Sequence, residues 1–205
     1  EGIVIHKDGI AININASFAK MFGYKANELI GNNIINLLVD KRYHNIISEN
    51  VKSMHAKPYE VKGIRKDGSI FPIELESRNI TDKKTNNVLR VAAVRDISFR
   101  KKAESEIVKL STAVEQSGNM ILITDIKGNV EYANQKFYET TGYQKKEIVG
   151  SSTRILKSGI HNSIFYNKLW ETISNGKAWQ GELCNKKKNG DLYWANSVIS
   201  PLFNE

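Results

Sequence analysis

Apolar residues recur along the chain in short, turn-bounded runs. Ile3-Val4-Ile5 and Met120-Ile121-Leu122-Ile123 each end at a glycine turn, Asp8-Gly9 or Lys127-Gly128, and each is followed by a second run, Ile10 to Ile14 or Val130 to Ala133. Branched runs closed by such turns predict two β-hairpins. After each hairpin an asparagine, Asn15 or Asn134, stands as a helix cap before Phe18-Ala19-Lys20-Met21-Phe22 or Phe137-Tyr138-Glu139-Thr140, and Gly-Tyr ends each segment. Tyr59 to Arg65 and Ser69 to Ser77 read as strands joined at Lys66-Asp67-Gly68, the second alternating Phe71, Ile73, Leu75. Val88 to Val94 supplies one more strand. Two strands, three helical segments and three strands in that order predict an antiparallel five-stranded sheet with short helices on one face, an α+β fold.

The pattern occurs twice. At a shift of 119 residues Asn15 falls on Asn134, Phe18 on Phe137, Gly23-Tyr24 on Gly142-Tyr143, Glu28 on Glu147 and Gly31 on Gly150. Lys66-Asp67-Gly68 meets Lys188-Asn189-Gly190 at a shift of 122, so the second copy carries three extra residues between Gly150 and Lys188. The repeat divides the chain into a first domain over 1–97, a linker over 98–117 and a second domain over 118–205. The first domain reads as truncated at its N-terminus, and the second as lacking its last strand. In the linker Ala103, Ile107, Leu110 and Val114 recur at steps of four, three and four, the stripe of an amphipathic helix. Its partner is either the adjacent sheet face or the same helix of a second copy, and a homodimer is the expected state.

Composition narrows the functional classes. The net charge of +8, from 30 basic and 22 acidic residues, comes from short runs such as Arg100-Lys101-Lys102 and Lys186-Lys187-Lys188 beside turns and helix starts. This is solvated charge, and no nucleic-acid surface is expected. No stretch reaches the ~18 apolar residues of a membrane span, so no membrane contact is expected. Cys184, the only cysteine, excludes an intrachain disulfide, reads as a packing residue and fits a reducing, cytoplasmic compartment. Phosphate-loop, zinc-protease and nucleophile-elbow motifs are absent. Glu74, Glu76, Glu182 and Asp191 lie on strands or turns, with Glu74 and Glu76 on one solvated face. The chain is therefore not read as an enzyme.

The repeated Asn-x-x-Phe-x-x-x-x-Gly-Tyr-x-x-x-Glu-x-x-Gly string, the Lys-Asp/Asn-Gly turn ahead of Phe71 or Tyr193, and Arg95-Asp96-Ile97 resemble the PAS domain family. The resemblance covers nearly the whole chain. It implies a five-stranded sheet and short helices around a central pocket, with signals passed along helices to an output domain of the same protein, a histidine kinase of a two-component system or a cyclic-dinucleotide enzyme. The second copy, through Arg154 to Gly159, Phe165-Tyr166-x-x-Leu169-Trp170 and Trp179-x-Gly181-Glu182-Leu183-x-Asn185, is similar to the FAD-binding redox sensors of nitrogen-fixation regulators. This likeness implies FAD as the cofactor, with Asn185 at its pyrimidine edge, Trp179 along its slot, and Arg154, Ser152, Thr153 and His161 around it. The alternative reading makes Trp179 and Trp170 core aromatics, Asn185 a turn cap, and both copies a cofactor-free dimerisation and relay module. Light-oxygen-voltage photoreceptors are a remoter likeness: Thr153 stands at the photoreactive cysteine position, preceded by Ser152, and Ala195 at the second asparagine, which excludes a cysteinyl adduct there. For the first copy the competing cofactor is haem, with His44 near the proximal position, but the register is off by a residue and haem is not expected. No metal site is expected. His6 and His55 read as solvated or packing residues.

Overall fold

A computed structural model describes residues 1–53, 56–81 and 88–203, so His55 lies outside the described residues. The chain divides into two compact units, Glu1–Ile107 and Val108–Glu205.

Unit 1 begins with β1 (Gly2–Lys7) and β2 (Ile10–Ile14), followed by α1 (Ala16–Phe22), α2 (Ala26–Leu29), α3 (Ile34–Leu38) and α4 (His44–Lys52). Then come β3 (Tyr59–Ile64), β4 (Ile70–Thr81) and β5 (Val88–Asp96), and the helix α5 (Ser98–Glu115), within which the division between the units falls. The sheet has the order β2-β1-β5-β4-β3, antiparallel throughout, so the last strand in sequence sits at its centre. Alternation sends Val4, Phe71, Ile73, Ala92 and Val94 to the inner face, where they meet Phe18, Phe22, Leu29, Leu38 and Ile47 from the helices. Phe22 touches both Phe18 and Phe71, with ring centroids 5.0 and 5.4 Å apart. Burying each such side chain contributes roughly 1.5–3 kcal/mol. Glu74 and Glu76 do share the outer face, but in an ion-pair network rather than as free solvated charges. Arg95 reaches Glu1, Glu74 and Glu76, and Arg100 and Lys101, in the first turn of α5, reach Glu60.

Unit 2 contains β6 (Leu122–Thr124), β7 (Val130–Ala133), α6 (Gln135–Thr141), α7 (Lys145–Ile148), α8 (Ser163–Ser174), β8 (Trp179–Lys186) and β9 (Leu192–Ile199). β6 starts two residues later than the apolar run suggests; Ile121 N–H donates to Asn134 Oδ1 and its carbonyl accepts from Asn134 N, the same pair of bonds that Ile3, inside β1, makes with Asn15. Two hairpins form, β6-β7 and β8-β9, and among the described residues no strand pairs with both β6 and β9 as β5 pairs with both β1 and β4. The core gathers Val130, Ala133, Phe137, Ile148 and Leu156.

The repeated polar residues prove to be joints. Asn15 and Asn134 each cap the following helix, accepting from Phe18 N or Phe137 N, and also accept from Ile3 N or Ile121 N at the start of the hairpin. Gly23 and Gly142 close those helices at φ of +76° and +77°, a conformation costly for residues with a Cβ. Glu28 and Glu147 accept from the N-cap amide of α2 or α7 and bind Lys66 or Lys188 Nζ at 2.6 Å. The backbone of each lysine in turn donates to Phe22 O or Thr141 O. Asn134 does more than Asn15: fully buried, it also donates to Val114 O and Asn119 O, while Glu115 accepts from Tyr132 Oη at 2.7 Å and from Gln135 N. The bond to Glu115 pushes the Tyr132 hydroxyl up to about 12. These contacts fasten the C-terminal end of α5 to β7 and α6. Among the described residues no helix is long and apolar enough to cross a membrane.

Candidate ligand sites on the two inner faces

In unit 2 the strand period places Trp179, Gly181, Leu183 and Asn185 of β8 on one face, with Tyr193, Ala195, Ser197 and Ile199 of β9 opposite Asn185, Leu183, Gly181 and Trp179. The β9 residues are half-buried. Asn185 stands directly across from Tyr193, and its backbone bridges to Lys157. Lys157 N donates to Arg154 O, so the turn that Ser152 caps ends beside Asn185. Arg154 itself is exposed, and Thr153 N donates to Gly128 O, with its hydroxyl and Trp170 lying over that glycine. The bridge Lys157–Asn185 spans 28 residues where its counterpart Val39–Gly63 spans 24, so four residues are added between the bridge partners and one is lost between Gly150 and Lys157 relative to Gly31 and Val39, a net gain of three.

Trp179 occupies the other end of β8, six residues and roughly 20 Å of strand from Asn185. Its indole lies against Gly181, where an added Cβ would come within 2.8 Å of the ring, and meets Phe165 at 5.7 Å. His161 is drawn instead to the strand backbone. Its Nε2 accepts from Cys184 N at 2.9 Å, while Ser158 Oγ donates to Cys184 O at 2.6 Å. Together the two side chains cap the edge of β8, which otherwise offers an unpaired N–H and carbonyl. His161 stacks on Phe165 at 4.0 Å and meets Trp194 edge-on. The structure thus brings Asn185 together with the end of the turn holding Ser152, Thr153 and Arg154, sets Trp179 at the far end of β8, and holds His161 on the backbone of Cys184, the neighbour of Asn185 in the strand. Cys184 is fully buried. Beside it the Tyr166 hydroxyl is buried without a hydrogen-bond partner among the described residues, and burial raises its pKa.

Unit 1 contains a cavity of about 60 Å³ inside the helix-covered face, lined mainly by apolar side chains including Val4, Phe18, Leu38 and Ile47. Three of its lining residues are polar and at least 94% buried: His6, Ser77 and Arg90. They meet because β5 lies between β1 and β4, setting Arg90 directly across from His6 and diagonal to Ser77. Arg90 Nε donates to Ser77 Oγ at 2.8 Å, and its remaining nitrogens reach Asn79 Oδ1 and the carbonyls of Asn50 and Val51 in the last turn of α4. Helix C-termini favour a cation. His6 Nδ1 accepts from Gly9 N, and burial, reinforced by the charge on Arg90, lowers its pKa, so the ring is neutral at neutral pH. His6 is thus a packing residue and more. Ser77 and Arg90 escaped the sequence reading, although each sits in an otherwise apolar period-two register, Phe71-Ile73-Leu75-Ser77 and Arg90-Ala92-Val94. His44 does not line the cavity; its Nε2 donates to Val39 O at 2.9 Å. A volume of 60 Å³ is far below the ~300–1,000 Å³ of sites for larger ligands, so it does not fit a porphyrin.

A family model described as PAS domain matches residues 1–99 and again 118–205. Over 93 residues, 45% of this chain and 19% of the other, the sequence is 33% identical to the nitrogen fixation regulatory protein of Klebsiella oxytoca. It is 24% identical to the aerotaxis receptor of Escherichia coli over 99 residues, 48% of this chain and 20% of the receptor. It is also 24% identical to the biofilm dispersion protein BdlA of Pseudomonas aeruginosa over 202 residues, 96% of this chain and 48% of that protein. The chain spans about a fifth of the first two relatives and about half of the third. With both matches falling on the two copies of the repeat, the chain belongs to the PAS domain family and carries two such domains.

Proposed function

We propose that the chain is the sensory region of a cytoplasmic signal-transduction protein and that unit 2 senses redox state or light through a bound flavin, FAD by its likeness to the nitrogen fixation regulatory protein. One observation carries this reading. Along β9 the inward residues are Tyr193, Ala195 and Ser197 where β4 of unit 1 has Phe71, Ile73 and Leu75, so the face beside Asn185 is opened by small side chains. Asn185 stands where unit 1 has Gly63, whose neighbours Phe71, Ile73 and Phe22 would already crowd a Cβ to 3.0–3.2 Å. The residues fit a flat heterocycle: an amide to donate and accept at its polar edge, Ala195 and Ser197 to leave space, and Leu183 as an apolar wall. When bound, such a ring supplies reversible electron uptake. Asn185 would orient it and feel its change of hydrogen bonding, and Tyr193, directly across the hairpin from Asn185, would share that change.

Catalysis, on this proposal, belongs to an output domain elsewhere in the protein. A second reading, a cofactor-free relay acting as a homodimer, draws support from α5, where Ile107 and Leu110 are 67% and 59% exposed in its apolar stripe.

The absorption spectrum of freshly purified protein separates the two. Flavin bands in the near ultraviolet and blue, weakened in Asn185→Ala, are the expected result. A featureless spectrum that stays so after incubation with FAD overturns the flavin reading and leaves the relay.

A further inference from the structure

We infer that Asn175, at the C-terminal end of α8, is a site of spontaneous covalent modification: its side-chain amide is lost to attack by Gly176 N, leaving aspartate or isoaspartate, whereas Asn189, before Gly190, is protected from the same reaction. This site stands apart from the flavin reading and does not rest on it.

The chain holds two Asn-Gly pairs, Asn175-Gly176 and Asn189-Gly190. In such a pair the glycine amide nitrogen, freed of its proton by hydroxide, attacks Cγ of the asparagine. The Cγ–Nδ2 bond breaks, ammonia leaves, and a cyclic imide joins Cγ to that nitrogen. Water then opens the imide, at Cγ to leave aspartate or at the main-chain carbonyl to leave isoaspartate. Glycine permits the attack because no Cβ shields its nitrogen. The two dipeptides are chemically alike, and tertiary structure separates them. Asn189 lies in the β8–β9 turn with both ends of its amide engaged: Nδ2 donates to Asp191 Oδ2 at 2.8 Å and Oδ1 accepts from Asp191 N at 3.0 Å. Asp67 is held the same way in the matching turn of unit 1, accepting from Ser69 N. Asn175 is exposed, and its side chain makes no hydrogen bond among the described residues. Attack there requires Gly176 N to leave Ile173 O, 3.0 Å away, and the Asn175 ψ of 14° to turn. Both happen when one terminal helix turn frays, among the least costly openings of a fold. At Asn189 the clamp on Asp191 must break as well as the bond from Gly190 N to Lys187 O. Either product sets a carboxylate at the end of α8, where unpaired carbonyls oppose negative charge, and isoaspartate also lengthens the backbone leading to Trp179.

The test holds the whole folded chain in warm, mildly alkaline buffer and follows the peptides around each pair by mass spectrometry, with electron-transfer fragmentation to tell isoaspartate from aspartate. Asn175 should convert about tenfold faster than Asn189, a barrier difference of ~1.4 kcal/mol. Asn175→Gln should abolish the mass gain in its peptide, and Asp191→Ala should speed conversion at Asn189 several-fold. In concentrated urea, where neither the helix end nor the clamp survives, the two rates should converge. Conversion of Asn189 as fast as Asn175 in the folded chain, or of neither, overturns the site. A rate difference that persists unchanged in urea, or an Asn189 indifferent to Asp191→Ala, overturns the structural cause.

Discussion

The two units share their joints and differ in what those joints enclose. In both, an asparagine caps the first helix, a glycine ends it, and a glutamate ties the second helix to a lysine of the later hairpin turn. The inner faces diverge. Unit 1 packs Phe71 and Ile73 against Phe18 and Phe22 and keeps a small cavity with a cationic end, whereas unit 2 sets half-buried Tyr193, Ala195 and Ser197 beside Asn185. Hydrogen-bonded joints demand particular residues at particular places, while an inner face demands only that its volume and polarity be matched. One scaffold can therefore hold two chemistries.

The largest expected effect tests whether the units stand apart. Phe22→Ala removes a ring at the centre of unit 1 and should cost about 3–5 kcal/mol. All three tryptophans, Trp170, Trp179 and Trp194, lie in unit 2. Amide exchange in β4 and β5 should therefore accelerate while tryptophan emission stays native, and a matching change in emission would show the units to be energetically coupled.

The two capping asparagines give a finer contrast. Asn15→Ala removes a partly exposed cap and should cost about 1 kcal/mol. Asn134→Ala strips partners from four backbone groups around a fully buried side chain and should cost about 2–3 kcal/mol, loosening the end of α5 as well. Urea unfolding followed by tryptophan emission for Asn134→Ala, and by amide exchange for Asn15→Ala, measures both; equal losses would mean that burial adds nothing to this joint.

The smallest effect is one of pH. His6 is neutral in folded and unfolded chains above its ordinary value of 6.5. Below that the unfolded chain takes up the proton first, because burial and Arg90 lower the native pKa while the nearby Asp8 only partly opposes them. The stability of unit 1 should thus fall as pH drops through this window, a slope that His6→Phe removes and unit 2, with Thr124 at the equivalent place in its hairpin, does not share. Amide exchange in β1 and β5 across that range reads it.

Much of this architecture is legible along the chain. The hairpins, the capped helices and the strand from Tyr59 emerge from turn residues and period-two alternation, because those signals act within a few residues of one another. Even Asn185 could be singled out by its place in a motif. The network on Glu74 and Glu76 and the drawing of His161 onto Cys184 could not, since each depends on a partner contributed by another element. The same holds most strongly for His6, Ser77 and Arg90. Local pattern assigns each to a strand and a face, but their meeting depends on the chain returning its last strand to the middle of the sheet, between β1 and β4. Local propensity acts over a turn or a strand, whereas the surroundings of a buried side chain are assembled from segments many residues apart, and it is those surroundings that set charge, donor supply and volume.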